Sequence, residues 1–242
     1  MASTGFAGKR GVGWVLVATW LIPAIMCGAY LILMSTSDTD TSGKIWEGIG
    51  LAFVLCLWFL FRTLTRHAAM ARAVAVGDAA RVLELADRQP ARLRPLYRAL
   101  AHAVRGAWPE ALAELDRSPA TLPASKRVIA ATVRVAALVE TGRAADARAA
   151  FDRDLARRPP SNDIATSSLV RLAEARVRWA EGDLTGADAL LARLVDDVRA
   201  GENVRASAHG YAARIADARG DTAAAGKHRA RAGEHAPRSA VA

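Results

Sequence analysis

The sequence predicts an all-α protein: two transmembrane helices followed by an α-solenoid of about five helix pairs. Three observations carry this. Two long apolar runs crowd the chain before Arg62. Beyond them, turns containing glycine recur roughly every 30–40 residues, an irregular period typical of stacked helix pairs. Between those turns the apolar residues fall at helical spacing, three and four apart, with no strand-like alternation.

The first run, Val12 to Met34, carries no charge. At 1.5 Å rise per residue it spans roughly 34 Å, enough for a hydrocarbon core of about 30 Å. Pro23 lies within it, and proline is tolerated there with a kink. Lys9 and Arg10 precede it as they would precede a secretory signal. The apolar core is longer than the roughly 7–15 residues of such a signal, so an uncleaved anchor is expected. Cys27 suggests a lipoprotein cysteine, but Met26 before it is too large for that pattern. The second run, Ile45 to Phe61, is shorter and stands at the lower end of the spanning range. Trp14, Tyr30, Trp46 and Trp58 sit near run ends, as an aromatic belt requires. A polar loop, residues 35–44, joins the runs.

Lys9 and Arg10 flank the hairpin on one side, Arg62, Arg66 and Arg72 on the other, and the loop holds only Lys44. The positive-inside rule then puts both termini in the cytoplasm; the membrane is expected to be a bacterial inner membrane. Ala24-x-x-x-Gly28 and Gly48-x-x-x-Ala52-x-x-x-Cys56 let two helices approach closely in lipid. They serve either to pack the hairpin on itself or to join copies into an oligomer.

The expected organisation is a cytoplasmic tail (1–11), the hairpin (12–61), a repeat region (62–237) and a disordered tail (238–242). The net charge of +9 lies wholly beyond residue 61, and nearly all of the positive charge is Arg. A basic soluble part favours anionic neighbours.

The turns are Gly77-Asp78, Gly106-Ala107, Gly142-Arg143, Gly182-Asp183 and Gly220-Asp221. Glycine takes the left-handed conformation that ends one helix, and Asp starts the next. Five positions after each glycine come Val82, Ala111, Ala147, Ala187 and Ala225, small enough for close helix crossing. Nine after come Ala86, Leu115, Phe151, Leu191 and, at the last, Arg229. Seven before come Met70, Ala99, Val135, Ala175 and Ala213. Pro123, Pro159 and Pro237 follow three of the pairs, Pro90 and Pro95 begin one, and Pro109 opens a second helix.

The segments Val135–Gly142 with Ala147, Phe151 and Pro159, and Leu172–Asp183 with Ala187 and Leu191, resemble the tetratricopeptide (TPR) repeat family. The resemblance covers about residues 63–237 and implies stacked helix pairs with an extended surface for protein partners. The first and fifth pairs depart from the pattern, as terminal repeats do. The arrangement of hairpin and repeats also resembles that of HemY-type bacterial membrane proteins.

Chemistry-bearing motifs are missing. The sequence has no phosphate loop, no His-Glu-x-x-His, no Gly-x-Ser-x-Gly and no Cys-x-x-Cys. No enzyme activity, cofactor or metal is therefore expected. Asp152 with Asp154, and Asp196-Asp197, lie among arginines and read as salt-bridged surface. Nucleic-acid binding wants aromatics among its basic residues, and the later part has few. One stripe stands out: Arg94, Arg98, His102 and Arg105, spaced 4, 4 and 3 on one helix face without acid at matching spacing. It is a candidate contact for anionic lipid or an acidic partner segment, or a plain solvated face. Two function classes emerge. One is a membrane-anchored scaffold that docks protein partners. The other is an accessory or assembly subunit of a membrane enzyme or transporter, held through the hairpin.

Overall fold

The computed structural model describes residues 41–119, 121–157 and 164–235. The first apolar run, residues 35–40 of the loop and both tails lie outside the described residues. Among the described residues the chain is all-helical, with ten α-helices, one π-helical turn and no strand. It divides into two units between Ala69 and Met70.

The first unit is carried by helix α1, Thr41–Val76. This helix corrects the expected boundaries at both ends. Thr41 to Lys44 are helical rather than loop, because short polar residues suit a helix N-terminus as well as they suit a turn. At the other end the helix does not stop with the apolar run at Phe61. From Leu51 to Val76 there is neither glycine nor proline to break it. Among the described residues one stretch is long and apolar enough to cross a membrane, Gly50–Val74, 25 residues with a mean hydropathy of 1.3. Phe53, Leu55, Phe59, Leu60 and Leu64 are all exposed. Polar groups fold back on the helix: the Thr63 hydroxyl donates to the Phe59 carbonyl at 2.8 Å, and Thr65 to that of Arg62 at 3.0 Å. The Arg62 guanidinium lies 5.1 Å from the centre of the Trp58 ring.

The second unit begins with the last turns of α1, where Met70 and Ala73 are buried. Then come α2 (Ala79–Asp87), α3 (Arg94–Val104), α4 (Trp108–Asp116), α5 (Ala124–Glu140) and α6 (Ala144–Phe151). The π-turn Asp152–Ala156 extends α6. Next are α7 (Ile164–Ala180), α8 (Leu184–Val195), α9 (Glu202–Ala218) and α10 (Thr222–His235).

Each of the five turn glycines has positive φ, between 72° and 82°, and no other described residue does. At Gly182 the pattern is complete. Its N–H donates to the Trp179 carbonyl at 3.0 Å, and the Asp183 N–H reaches back to the Arg178 carbonyl at 2.9 Å. Both bonds satisfy carbonyls that the end of α7 would leave bare. The same two bonds recur at the other four turns. Asp78, Asp183 and Asp221 then accept from backbone N–H groups three residues on, capping α2, α8 and α10. Pro95 and Pro109 occupy first-turn positions of α3 and α4.

The small residues five after each glycine are fully buried, and those seven before are buried as well. Alanine at these crossings brings neighbouring helices close without leaving a void. α3 packs on α4, α5 on α6, α7 on α8 and α9 on α10, and the leading helices α3, α5, α7 and α9 also pack in series. One core cluster joins Leu96 and Ala99 of α3, Leu115 of α4, Leu122 before α5 and Val133 within it. A larger one runs from Val128 to Ile215 and includes Phe151, Leu191 and Tyr211. Arg229, at the one polar position of the nine-after series, is exposed and pairs with Asp217.

Candidate functional site

The stripe on α3 is partly neutralised. Arg98 donates to Asp87 Oδ1 from Nε at 3.1 Å and from Nη2 at 2.7 Å. That bond raises the Arg98 pKa above its ordinary value. The acid comes from α2, so spacing along α3 alone could not reveal it. Arg94 and His102 are half-buried, and Arg105 is exposed at the C-cap. The Arg94 Nε is buried without a hydrogen-bond partner among the described residues. The face therefore offers Arg94, His102 and Arg105, with Arg98 already held.

Three of the four expected acidic surface groups are paired, Asp152 with Arg148 at 3.9 Å among them, and Asp196 makes no ion pair among the described residues. Asp154 accepts from Arg153 at 2.8 and 3.0 Å. Asp197 accepts from the Arg199 backbone at 3.0 Å, and this hydrogen bond lowers its pKa. Glu174, Arg178 and Asp183 form a chain of ion pairs along the end of α7. Arg148 of α6 binds Glu181 in the turn after α7, and that bond holds the Glu181 carboxyl below its ordinary range.

Three arrangements were not visible in the sequence. The first is a network on α5, α7 and α9. The buried Tyr211 hydroxyl donates to Glu140 Oε1, which also accepts from Arg214 Nη1 at 2.8 Å. Trp179 meets the Tyr211 ring edge-on at 5.5 Å and 82°. The guanidinium of Arg214 lies over both rings, at 5.4 and 4.9 Å, and that of Arg176 over Tyr211 at 5.1 Å. Burial pushes the Tyr211 pKa up. Burial works against the Arg214 charge, but its bond to Glu140 and the neighbouring charges outweigh that and raise the pKa. A signal existed: Arg176 and Arg214 each stand six positions before a turn glycine.

The second is a histidine cluster. Nδ1 of His209 on α9 is 3.1 Å from Nδ1 of His228 on α10. The His235 ring stacks nearly parallel to His209, with centres 5.7 Å apart and planes 7° apart. Burial, then the neighbouring His228, His235, Arg231 and Arg205, push the His209 pKa down to about 4. Among the described residues, no group of three His, Cys, Asp or Glu is arranged to hold a metal.

The third is a cavity of about 490 Å³ bounded by α4, α5 and the π-turn. Leu115 and Leu122 give it an apolar wall, and Arg127, Arg134, Arg153 and Arg157 also line it. Widening to π geometry adds a residue to the turn and re-aims the chain beyond it, a feature that often marks functional positions.

No protein family, curated protein or solved structure shows similarity to this chain. Its function is therefore read from its own residues.

Proposed function

We propose that this protein is a membrane-anchored, TPR-like scaffold that docks a protein partner at the cytoplasmic face of a bacterial inner membrane. The observation that carries the reading is the repetition itself. Five positive-φ glycines recur, each with a buried small residue five positions later, and the leading helices α3, α5, α7 and α9 each pack on the helix that follows and on one another in series. Stacking of this kind builds an α-solenoid with an extended surface suited to partner proteins. The exposed apolar length of α1 supports the anchor, since phenylalanine and leucine in such numbers favour lipid over water. A two-span hairpin with both termini inside, and contact of the α3 stripe with anionic lipid, belong to the same proposal.

A second reading has its own support. Ala52 and Cys56, four positions apart on α1, are both exposed, leaving a small-residue face for another transmembrane helix. On that reading the protein is an accessory or assembly subunit docked through its hairpin.

Pull-down from detergent separates the two. The full chain is compared with the fragment 68–242, which keeps the buried Met70 and Ala73. Partners retained by the fragment support the scaffold. Partners lost with the hairpin support the accessory subunit.

A further inference from the structure

We propose that the cavity between α4, α5 and the π-turn holds an extended acidic segment of a partner protein. The proposal deepens the docking function above and rests on it.

Of the four arginines lining this cavity, two are already committed. Arg134 donates to Asp116 at 2.7 Å, and Arg153 to Asp154. Arg127 and Arg157 line the same cavity and make no ion pair or side-chain hydrogen bond among the described residues. Among the described residues Asp154 is the one carboxylate in the lining, so the site is positive overall. Cations gathered at a concave surface with low-dielectric walls focus an attractive field for anions.

The spread of charge selects the ligand. Arg127 and Arg134 are seven positions apart on α5, about 10 Å along the helix axis. Cations spread along the lining, on α5 and at the end of the π-turn, favour several separated carboxylates over one compact phosphate. An extended peptide rises about 3.3 Å per residue, so carboxylates two to four residues apart bracket that distance. Guanidinium forks match carboxylates in geometry. The wall of Leu115 and Leu122 accepts apolar side chains between the acids. A volume of about 490 Å³ suits a few residues of such a chain.

The test uses the full chain in detergent and a fluorescent, end-capped peptide of alternating Glu and Leu. Fluorescence anisotropy should show saturable binding that weakens as salt rises. The double change Arg127→Gln/Arg157→Gln should weaken it by about tenfold or more, the loss of charge-assisted bonds to two carboxylates. Arg127→Lys/Arg157→Lys should fall between, since charge remains but the forks are gone. Arg81→Gln/Arg88→Gln removes the same charge from α2 and its C-cap and should leave binding within about twofold of wild type, because the site is local. Both cavity arginines are exposed, so the melting midpoint should not move. Absence of saturable binding, or equal weakening by the two Gln pairs, overturns the proposal. So does pyrophosphate binding more tightly than the peptide, which would make this a phosphate site. A protein partner whose capture survives the cavity double change also overturns it, while leaving the docking function standing.

Discussion

Helix α1 and the helices of the repeat unit all carry apolar residues but meet their burial in opposite ways. α1 runs 36 residues without interruption and presents its large side chains outward. The helices after Gly77 are shorter, from 8 residues in α6 to 17 residues in α5, and they pack against their neighbours. The difference lies in two residue types. Between Leu51 and Val76 there is no glycine or proline, so nothing turns the chain back. After that, a positive-φ glycine at each of five turns sends the chain back, and a small residue five positions later lets the returning helix lie close. Among the described residues α1 leaves its large apolar side chains exposed, and the repeat helices bury theirs against one another.

The largest effect should come from the repeat core. Phe151 is almost fully buried in the larger cluster. Phe151→Ala should cost about 3–5 kcal/mol in denaturant unfolding followed by circular dichroism. Phe59→Ala in α1 should change the same unfolding by less than about 0.5 kcal/mol, the usual effect at an exposed site. Equal costs would erase the contrast between the two regions.

A pH dependence should come next. His209 is held neutral in the fold with its pKa at about 4, against an ordinary 6.5. Its folded-state pKa is depressed, so acid drives protons onto the unfolded chain first. Stability is full above about pH 6.5 and falls as the pH drops from there toward 4. Allowing for solvent screening, the loss at pH 5 should be about 1 kcal/mol. His209→Gln should remove that slope between pH 7 and 5 in urea titrations. An unchanged slope would show that the cluster on α9 and α10 is not its source.

The glycines give a smaller, signed test. Gly182 has φ +82°, where an L side chain is strained although the space is open. Gly182→Ala should cost about 1–2 kcal/mol. Gly226 lies inside α10 with nothing near its Cβ position and no such strain. Gly226→Ala should gain about 0.5–1 kcal/mol in the same thermal melts. Both changes acting in the same direction would contradict the assigned turns.

Legibility in the sequence divides along the same line. The turns and crossings were readable because only glycine takes the left-handed turn cheaply and only small residues fit the crossings, so the pattern is local. The extent of α1 was not, because Arg62 and Arg66 mark the end of hydrophobicity, and charge alone does not end a helix. The pairing of Arg98 with Asp87, and of Tyr211 and Arg214 with Glu140, lay beyond reach: the first partner comes from the preceding helix and the others from a helix more than 70 residues back. Ion pairs between helices arise from packing, and periodicity along one helix carries no record of them. The π-turn after Phe151 left no mark in the apolar spacing.

An anchor in the membrane with the repeats on its cytoplasmic side is tested most directly by cysteine accessibility in intact bacterial cells, in a Cys27→Ser/Cys56→Ser background. Ser37→Cys, between the two apolar runs, should react with an impermeant maleimide added outside. Ser239→Cys, beyond the last repeat, should react only after lysis. Reversed labelling, or free labelling of Ser239→Cys in sealed cells, would contradict that arrangement.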